Sequence, residues 1–214
     1  MHRVAGLLLA LLPGLAPAQA PPQRATFKYF TKLGDEVLNR VDAVLVGRIQ
    51  SVTALRGTDV VLVEVVTWHD GPRRPDQKNV TLLANHGDFY VGTEQLLFLK
   101  LYEAGPRYTL HNRVARSDPD YDAKLHALEQ SLALRRMPNE EDRKRQVRKQ
   151  LWEDVGARDS WTRWHAYHEL EWLRGRHNDL LPREDREELA RLAARSGDPE
   201  FKKALTRLLK DWIQ

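Results

Sequence analysis

A chain of 214 residues with 42% hydrophobic and 30% charged positions and no cysteine is neither a disulfide-stapled miniprotein nor a thiolate metal centre. Charge that dense and mixed excludes a membrane bundle, and the apolar fraction excludes a wholly disordered chain. The net charge of +4 divides into Arg3, 13 basic against 12 acidic residues over 21–120, and 20 against 18 over 121–214. Neither half builds the field that a phosphate backbone rewards, so nucleic acid is not an expected partner.

The chain opens on His2 and Arg3, then an apolar run over 4–12 of about nine residues, the length of a signal h-region. Pro13, Gly14 and Pro17 interrupt it, and Ala18-Gln19-Ala20 matches the small-x-small cleavage pattern. We expect a cleaved signal peptide over 1–20 and export to the periplasm or beyond. A membrane anchor needs about twenty apolar residues. No later run is that long, so no membrane span is expected. The missing cysteine also excludes a lipidated terminus. Arg outnumbers Lys 24 to 10, the usage of a GC-rich bacterial genome, which places the expected setting in a bacterial envelope.

From 27 to 113 the period is two. A short helix over 31–40, carrying Leu33, Val37 and Leu38 on one side, precedes a buried-type strand over 43–49. A turn at Arg56-Gly57-Thr58-Asp59 leads to a β-branched strand over 60–68. Val61, Val63 and Val65 lie on one of its faces, and Leu62, Glu64 and Val66 on the other. Further strands are read over 80–83, 95–102 (Leu97, Leu99 and Leu101 on one face) and 107–111. Five strands with short turns point to a small barrel.

From Asp118 the period is helical. Asp118-Pro119 starts a helix carrying Tyr121, Leu125, Leu128 and Leu132, and Pro138-Asn139 ends it and caps the next. The second helix carries Val147, Leu151 and Val155 and closes near Gly156. A third spans 160–174 and a fourth 182–195. Asp198-Pro199-Glu200 starts the fifth with an acceptor cap, a proline and an acid on the positive dipole end. Phe201, Ala204, Leu205, Leu208, Leu209 and Trp212 then form its apolar stripe. The fold class read from this is α+β: a five-stranded OB-like β-barrel domain over 21–117 and an α-helical domain over 118–214.

The densest reactive cluster falls on the third helix. At 100° per residue, Trp161, Trp164, His165, His168 and Trp172 share a face about 100° wide, opposite Ala166, Leu170 and Leu173. One reading is a central helix packed on both sides. Another is an aromatic ligand groove, in which Trp supplies stacking area and an N–H donor. A third is a metal site of His165 and His168 with Glu169 and Glu171 nearby. That spacing fails the zincin pattern, because Trp172 stands where the second His belongs, and a catalytic zinc wants three ligands. No metal or other cofactor is therefore expected.

Other clusters have plainer readings. His86-Gly87-Asp88 reads as a turn. Ser117-Asp118 reads as a helix start rather than a nucleophile pair. The basic run Arg143-Lys144-Arg145, Arg148, Lys149 follows Glu140-Glu141-Asp142, which complements the helix dipole and describes a solvated face. No nucleophile elbow, phosphate loop or dinucleotide fingerprint occurs.

Three segments carry a resemblance: Asp42-Ala43-Val44-Leu45-Val46-Gly47-Arg48-Ile49, Val63-Glu64-Val65-Val66-Thr67-Trp68, and Phe89-Tyr90-Val91-Gly92-Thr93-Glu94-Gln95-Leu96-Leu97-Phe98. In order and phrasing they resemble the OB-fold of tissue inhibitors of metalloproteinases and netrin-type modules. The resemblance implies a small exported barrel whose relatives act by binding proteins. Those inhibitors chelate the enzyme's zinc with an amino-terminal cysteine. Here Pro21 is the expected mature start and no cysteine exists, so no inhibitory residue carries over. Downstream, Gly197-Asp198-Pro199-Glu200 before Ala204-Leu205 resembles HEAT-like α-solenoid repeats, without a clear second copy at a period of about forty. A plain helical bundle and a short HEAT-like array both fit.

The expected function is a non-enzymatic binding or scaffolding module whose partner is another secreted or envelope protein. Two other hypotheses stand beside it. One is a metal-dependent hydrolase or ligand site on the His165/His168 helix, and the other is a protease inhibitor acting through a barrel loop.

Overall fold

A computed structural model of the protein describes residues 27–73, 77–85, 87, 89–102 and 107–213. The signal peptide expected over 1–20 lies outside the described residues, as do His86 and Asp88.

Five strands form the amino-terminal half: β1 (Ala43–Leu55), β2 (Thr58–Asp70), β3 (Asn79–Ala84), β4 (Glu94–Leu101) and β5 (Tyr108–Ala115). They close into a barrel in the order β1-β2-β3-β5-β4. Neighbours are antiparallel except β3 and β5, which run parallel at Leu82–Tyr108 and Leu83–Thr109. The two-residue period does the sorting. Leu45, Val61, Val63, Leu82, Leu97 and Leu99 fill the interior, while Leu62 and Val66 stay exposed.

Five helices follow: α1 (Tyr121–Arg135), α2 (Glu140–Val155), α3 (Ser160–Arg176), α4 (Arg183–Ala194) and α5 (Pro199–Ile213). Their starts are chemically marked. Asn139 accepts from the Glu141 amide, Asp159 from Thr162, and Asp198 from Glu200 and Phe201. Ala166, Leu170 and Leu173 of α3 are fully buried, as are Phe201, Leu205 and Leu209 of α5. The α+β layout is thus the one read from the sequence.

The two halves share one core. Val44 and Val46 of β1 and Leu96 and Phe98 of β4 point out of the barrel and join the apolar cluster of the helices. Their neighbours Leu45 and Leu97 point inward. Both strands are therefore buried on two faces here, which is why 43–46 and 96–99 read as continuous apolar runs. Arg135, at the end of α1, adds an ion pair to Asp70 of β2 and lies over the Tyr29 ring.

Two strands run further than their patterning. β1 continues to Leu55 through Ser51 and Thr53, and β5 to Ala115 through Asn112. The β1 extension is mostly exposed, so no apolar alternation marks it, while the β5 extension carries Val114 against the core of the helices.

The segment 27–40 also departs from the expected short helix over 31–40. It holds a π-helical turn, Leu33–Val37, and then a 3-10 turn, Leu38–Arg40. It lies across the helices as a strap. Glu169 of α3 accepts from the Lys32 and Leu33 amides at 2.5 and 3.2 Å. Trp172 Nε1 donates to Glu36 at 2.8 Å, and Arg143 Nε to the Lys28 carbonyl at 3.1 Å. Gly34 sits so close to Tyr29 that a Cβ would stand 2.2 Å from the tyrosine Cβ. Gly34→Ala is therefore expected to lift the strap and cost about 1–3 kcal/mol. Thermal unfolding of the variant checks this.

Candidate functional site

The junction of barrel and helices is grooved. One cavity of about 390 Å³ is floored by Leu96 and Phe98 of β4, Leu33 of the strap, and Trp161 and His165 of α3. Asp118 and Lys124 close one side as an ion pair at 2.7 Å. A second cavity of about 640 Å³ shares Arg113, Val114 and Asp118 with the first and runs on to Thr93 and Tyr90. The pair makes one groove along the carboxyl end of β5. Its size and largely apolar floor with a few charged groups suit an organic or peptide ligand.

Tyr90, 64% exposed, lines the far mouth, and Val91 next to it in the chain is 66% exposed. A tight turn presents them. The Thr93 amide and hydroxyl both donate to the Tyr90 carbonyl, at 3.2 and 2.6 Å. Gly92 takes φ +86 with open space around it, a conformation that favours glycine.

The five residues proposed from the sequence share one helical face but reach different neighbours. Trp161 stacks on His165 at 4.8 Å between ring centroids, and both line the groove. Trp164 meets Phe201 of α5 edge-on at 5.8 Å. Trp172 is bound to the strap through Glu36. His168 is exposed, 3.7 Å from Glu171. The structure thus brings two of the five, Trp161 and His165, to the groove. His165 pairs with Glu169 and His168 with Glu171, so the two histidines do not converge on one point. Among the described residues no group of three or more His, Asp or Glu side chains is arranged to hold a metal ion.

Beneath the groove lies a small polar chamber, also lined by His165. Its other polar walls are Thr31, Ser131 of α1, Gln150 and Asp154 of α2, and Glu169, and Val147 and Leu151 of α2 complete it. The volume of about 10 Å³ matches roughly one water-sized sphere. Burial governs its chemistry. It pushes the Glu169 carboxyl up from 4.5 to about 7, against the pull of the Lys32 and Leu33 amides. It pushes Asp154 up from 3.8 to about 6 and His165 down from 6.5 to about 4. Glu169 and His165 stand 3.7 Å apart. Burial holds both neutral between about pH 4 and 7, so this contact is not an ion pair there.

Trp161 and His165 were legible from residue type and spacing. Asp154 was not singled out, although it sits in the last turn of α2, which carries no basic residue. An acid at the negative end of a helix dipole is a local misfit that sequence alone can flag. Ser131 and Thr31 carry no such mark.

The remaining clusters have structural roles. Lys144 pairs with Glu140 and Glu141, Arg145 with Asp142, Arg148 with Asp185 and Lys149 with Glu153. Arg143 is buried on backbone carbonyls. Asp118 accepts from the Asp120 amide ahead of α1. No protein-family model matches the chain, and no curated protein matches it. No helix of the described residues is long and apolar enough to cross a membrane.

Proposed function

We propose that this is an exported, non-enzymatic binding module of the bacterial envelope, and that its groove receives a segment of another secreted or envelope protein. The observation that carries the reading is the groove itself: two adjoining cavities at the junction of barrel and helices, an aromatic stack on the floor, and the exposed Tyr90 at the mouth. Trp and Tyr bury much area for little lost rotamer freedom, which suits peptide recognition. The floor of the first cavity comes mainly from β4, β5 and α3, and Leu96, Phe98 and Val114 pack in the same core as the helices. A small OB-like barrel resembling the tissue inhibitor and netrin modules, joined to a HEAT-like helical array, fits the same role.

The test is affinity capture of the chain from envelope and secreted fractions, run beside Trp161→Ala. Trp161 is only partly buried, so the substitution is expected to leave the fold intact. We expect a stoichiometric protein partner with the wild type and at least tenfold less with the variant. A partner retained equally by both would remove the groove from the reading. Turnover of a substrate that is lost on a single substitution would replace the reading with an enzyme.

A further inference from the structure

We propose that the cavity between the α2–α3 and α4–α5 loops is a second binding site, and that it takes a small organic oxyanion. Arg158 and Arg195 hold the carboxylate or phosphate group of this ligand, and Val155 and Leu192 take its apolar body. The cavity shares no lining residue with the groove, so the proposal does not rest on what the groove binds.

The cavity measures about 370 Å³, within the range of small-ligand clefts. Val155, at the end of α2, is buried, and Leu192 of α4 is half-buried. They supply an apolar wall. The polar side chains of the lining are Arg158, Arg163, Arg195, Ser196 and Asp198.

The charges in this lining do not balance. Three arginines meet one acid, and that acid is already engaged. Asp198 Oδ1 accepts from the Glu200 and Phe201 amides, and Oδ2 lies 3.3 Å from Arg163 Nη2. Asp159, next to Arg158 in the chain, accepts from the Thr162 amide and does not line the cavity. Among the described residues neither Arg158 nor Arg195 forms an ion pair. The basic run of α2 differs, since Lys144 is matched by Glu140 and Glu141, and Arg148 by Asp185. Uncompensated like charges around a concave, partly apolar surface focus a positive potential that an anion relieves.

The frame that carries these charges is tied together. Arg163 is mostly buried, and its Nη1 donates to the Ala157 and Arg158 carbonyls at 3.0 and 2.6 Å. Through Nη2 the same side chain reaches Asp198. One guanidinium thus joins the α2–α3 loop to the α4–α5 loop, and the two loops present Arg158 and Arg195 without first having to be brought together. Gly197 leaves the backbone open between them and α5. No atom lies within 4 Å of where its Cβ would stand, and among the described residues its amide has no partner. That N–H is a further donor for an oxyanion. Guanidinium forks match carboxylate and phosphate oxygens in pairs, which selects oxyanions over other anions.

The experiment titrates the full chain with sodium hexanoate and with hexyl phosphate, followed by ¹H–¹⁵N NMR. Inorganic phosphate, hexanol and hexylammonium are the comparison probes. At least one of the two organic oxyanions is expected to saturate, with amide shifts at Arg195 and Gly197, and to bind at least about tenfold more tightly than hexanol. Which of the two binds more tightly tells a carboxylate ligand from a phosphate one. The affinity is expected to fall several-fold between about 20 and about 200 mM salt. Arg158→Gln and Arg195→Gln are each expected to weaken it by about tenfold or more. Both side chains are exposed, so both variants are expected to fold, which circular dichroism checks, and either one alone suffices for the test. Arg207→Gln makes the same charge change on an exposed position of α5 and is expected to leave the affinity unchanged. No saturation by either organic oxyanion, equal binding of hexanol, or an equal loss in Arg207→Gln would overturn the proposal. Inorganic phosphate bound as tightly as hexyl phosphate, and more tightly than hexanoate, would overturn the organic ligand by removing the apolar wall from the site.

Discussion

Phe98→Ala is expected to destabilise the protein by about 3–5 kcal/mol and to melt barrel and helices in one transition. Phe98 is buried on the outer face of β4, within the cluster that holds Leu128 and Leu170. Truncation removes a large apolar side chain from a seam whose two sides are regular elements. Neither side can collapse into the space without disturbing the barrel hydrogen bonds or the helix packing. The same side chain floors the groove, so the variant also enlarges the first cavity. Chemical denaturation followed by far-ultraviolet circular dichroism, for the helices, and by near-ultraviolet signals checks the result. Coincident transitions shifted together are the expected outcome. A shift confined to one probe would show that the halves unfold separately.

The second large effect is on pH dependence. Glu169, raised from 4.5 to about 7, contributes stability that is complete below pH 4.5 and lost as pH rises through 7. The shift corresponds to about 3 kcal/mol. Asp154, raised from 3.8 to about 6, has the same sign in a lower window. His165 is the opposite case. Lowered from 6.5 to about 4, it contributes stability that is present above pH 6.5 and lost as pH falls toward 4. The two acids together outweigh the one base, so the wild type is expected to be less stable at pH 7.5 than at pH 5. Glu169→Gln is expected to shift the profile so that the difference between the two pH values changes by about 2 kcal/mol in favour of pH 7.5. Denaturant midpoints across that range measure it, and a variant profile parallel to the wild type would contradict it.

How far these features were legible in the sequence depends on what each residue faces. The barrel interior was readable at Val61 and Val63 because the exposed Leu62 and half-buried Glu64 on the opposite face of β2 leave an alternating signal. The double burial of β1 and β4 was visible as unbroken apolar runs, but not its cause, since a run does not say what covers its second face. The helix starts at Asn139 and Asp198 were readable because capping is local chemistry.

The strap was not readable. Its seating involves Glu169, far away in sequence, which accepts from the Lys32 and Leu33 amides. Propensity over 31–40 carries no trace of that contact. The groove was half legible. Trp161 and His165 stood out by type and spacing, whereas Leu33, Phe98 and the Asp118–Lys124 pair come to it through tertiary packing alone.

The groove as a protein-binding surface is tested most directly by site-specific photo-cross-linking in the native envelope. One probe replaces Tyr90 at the groove mouth, and a control replaces Arg207, exposed on α5. A single protein adduct from position 90, absent from position 207 and lost when Trp161→Ala is added, is the expected result. Adducts of the same protein from both positions, or none from position 90, would contradict the groove as the place where this protein meets its partner.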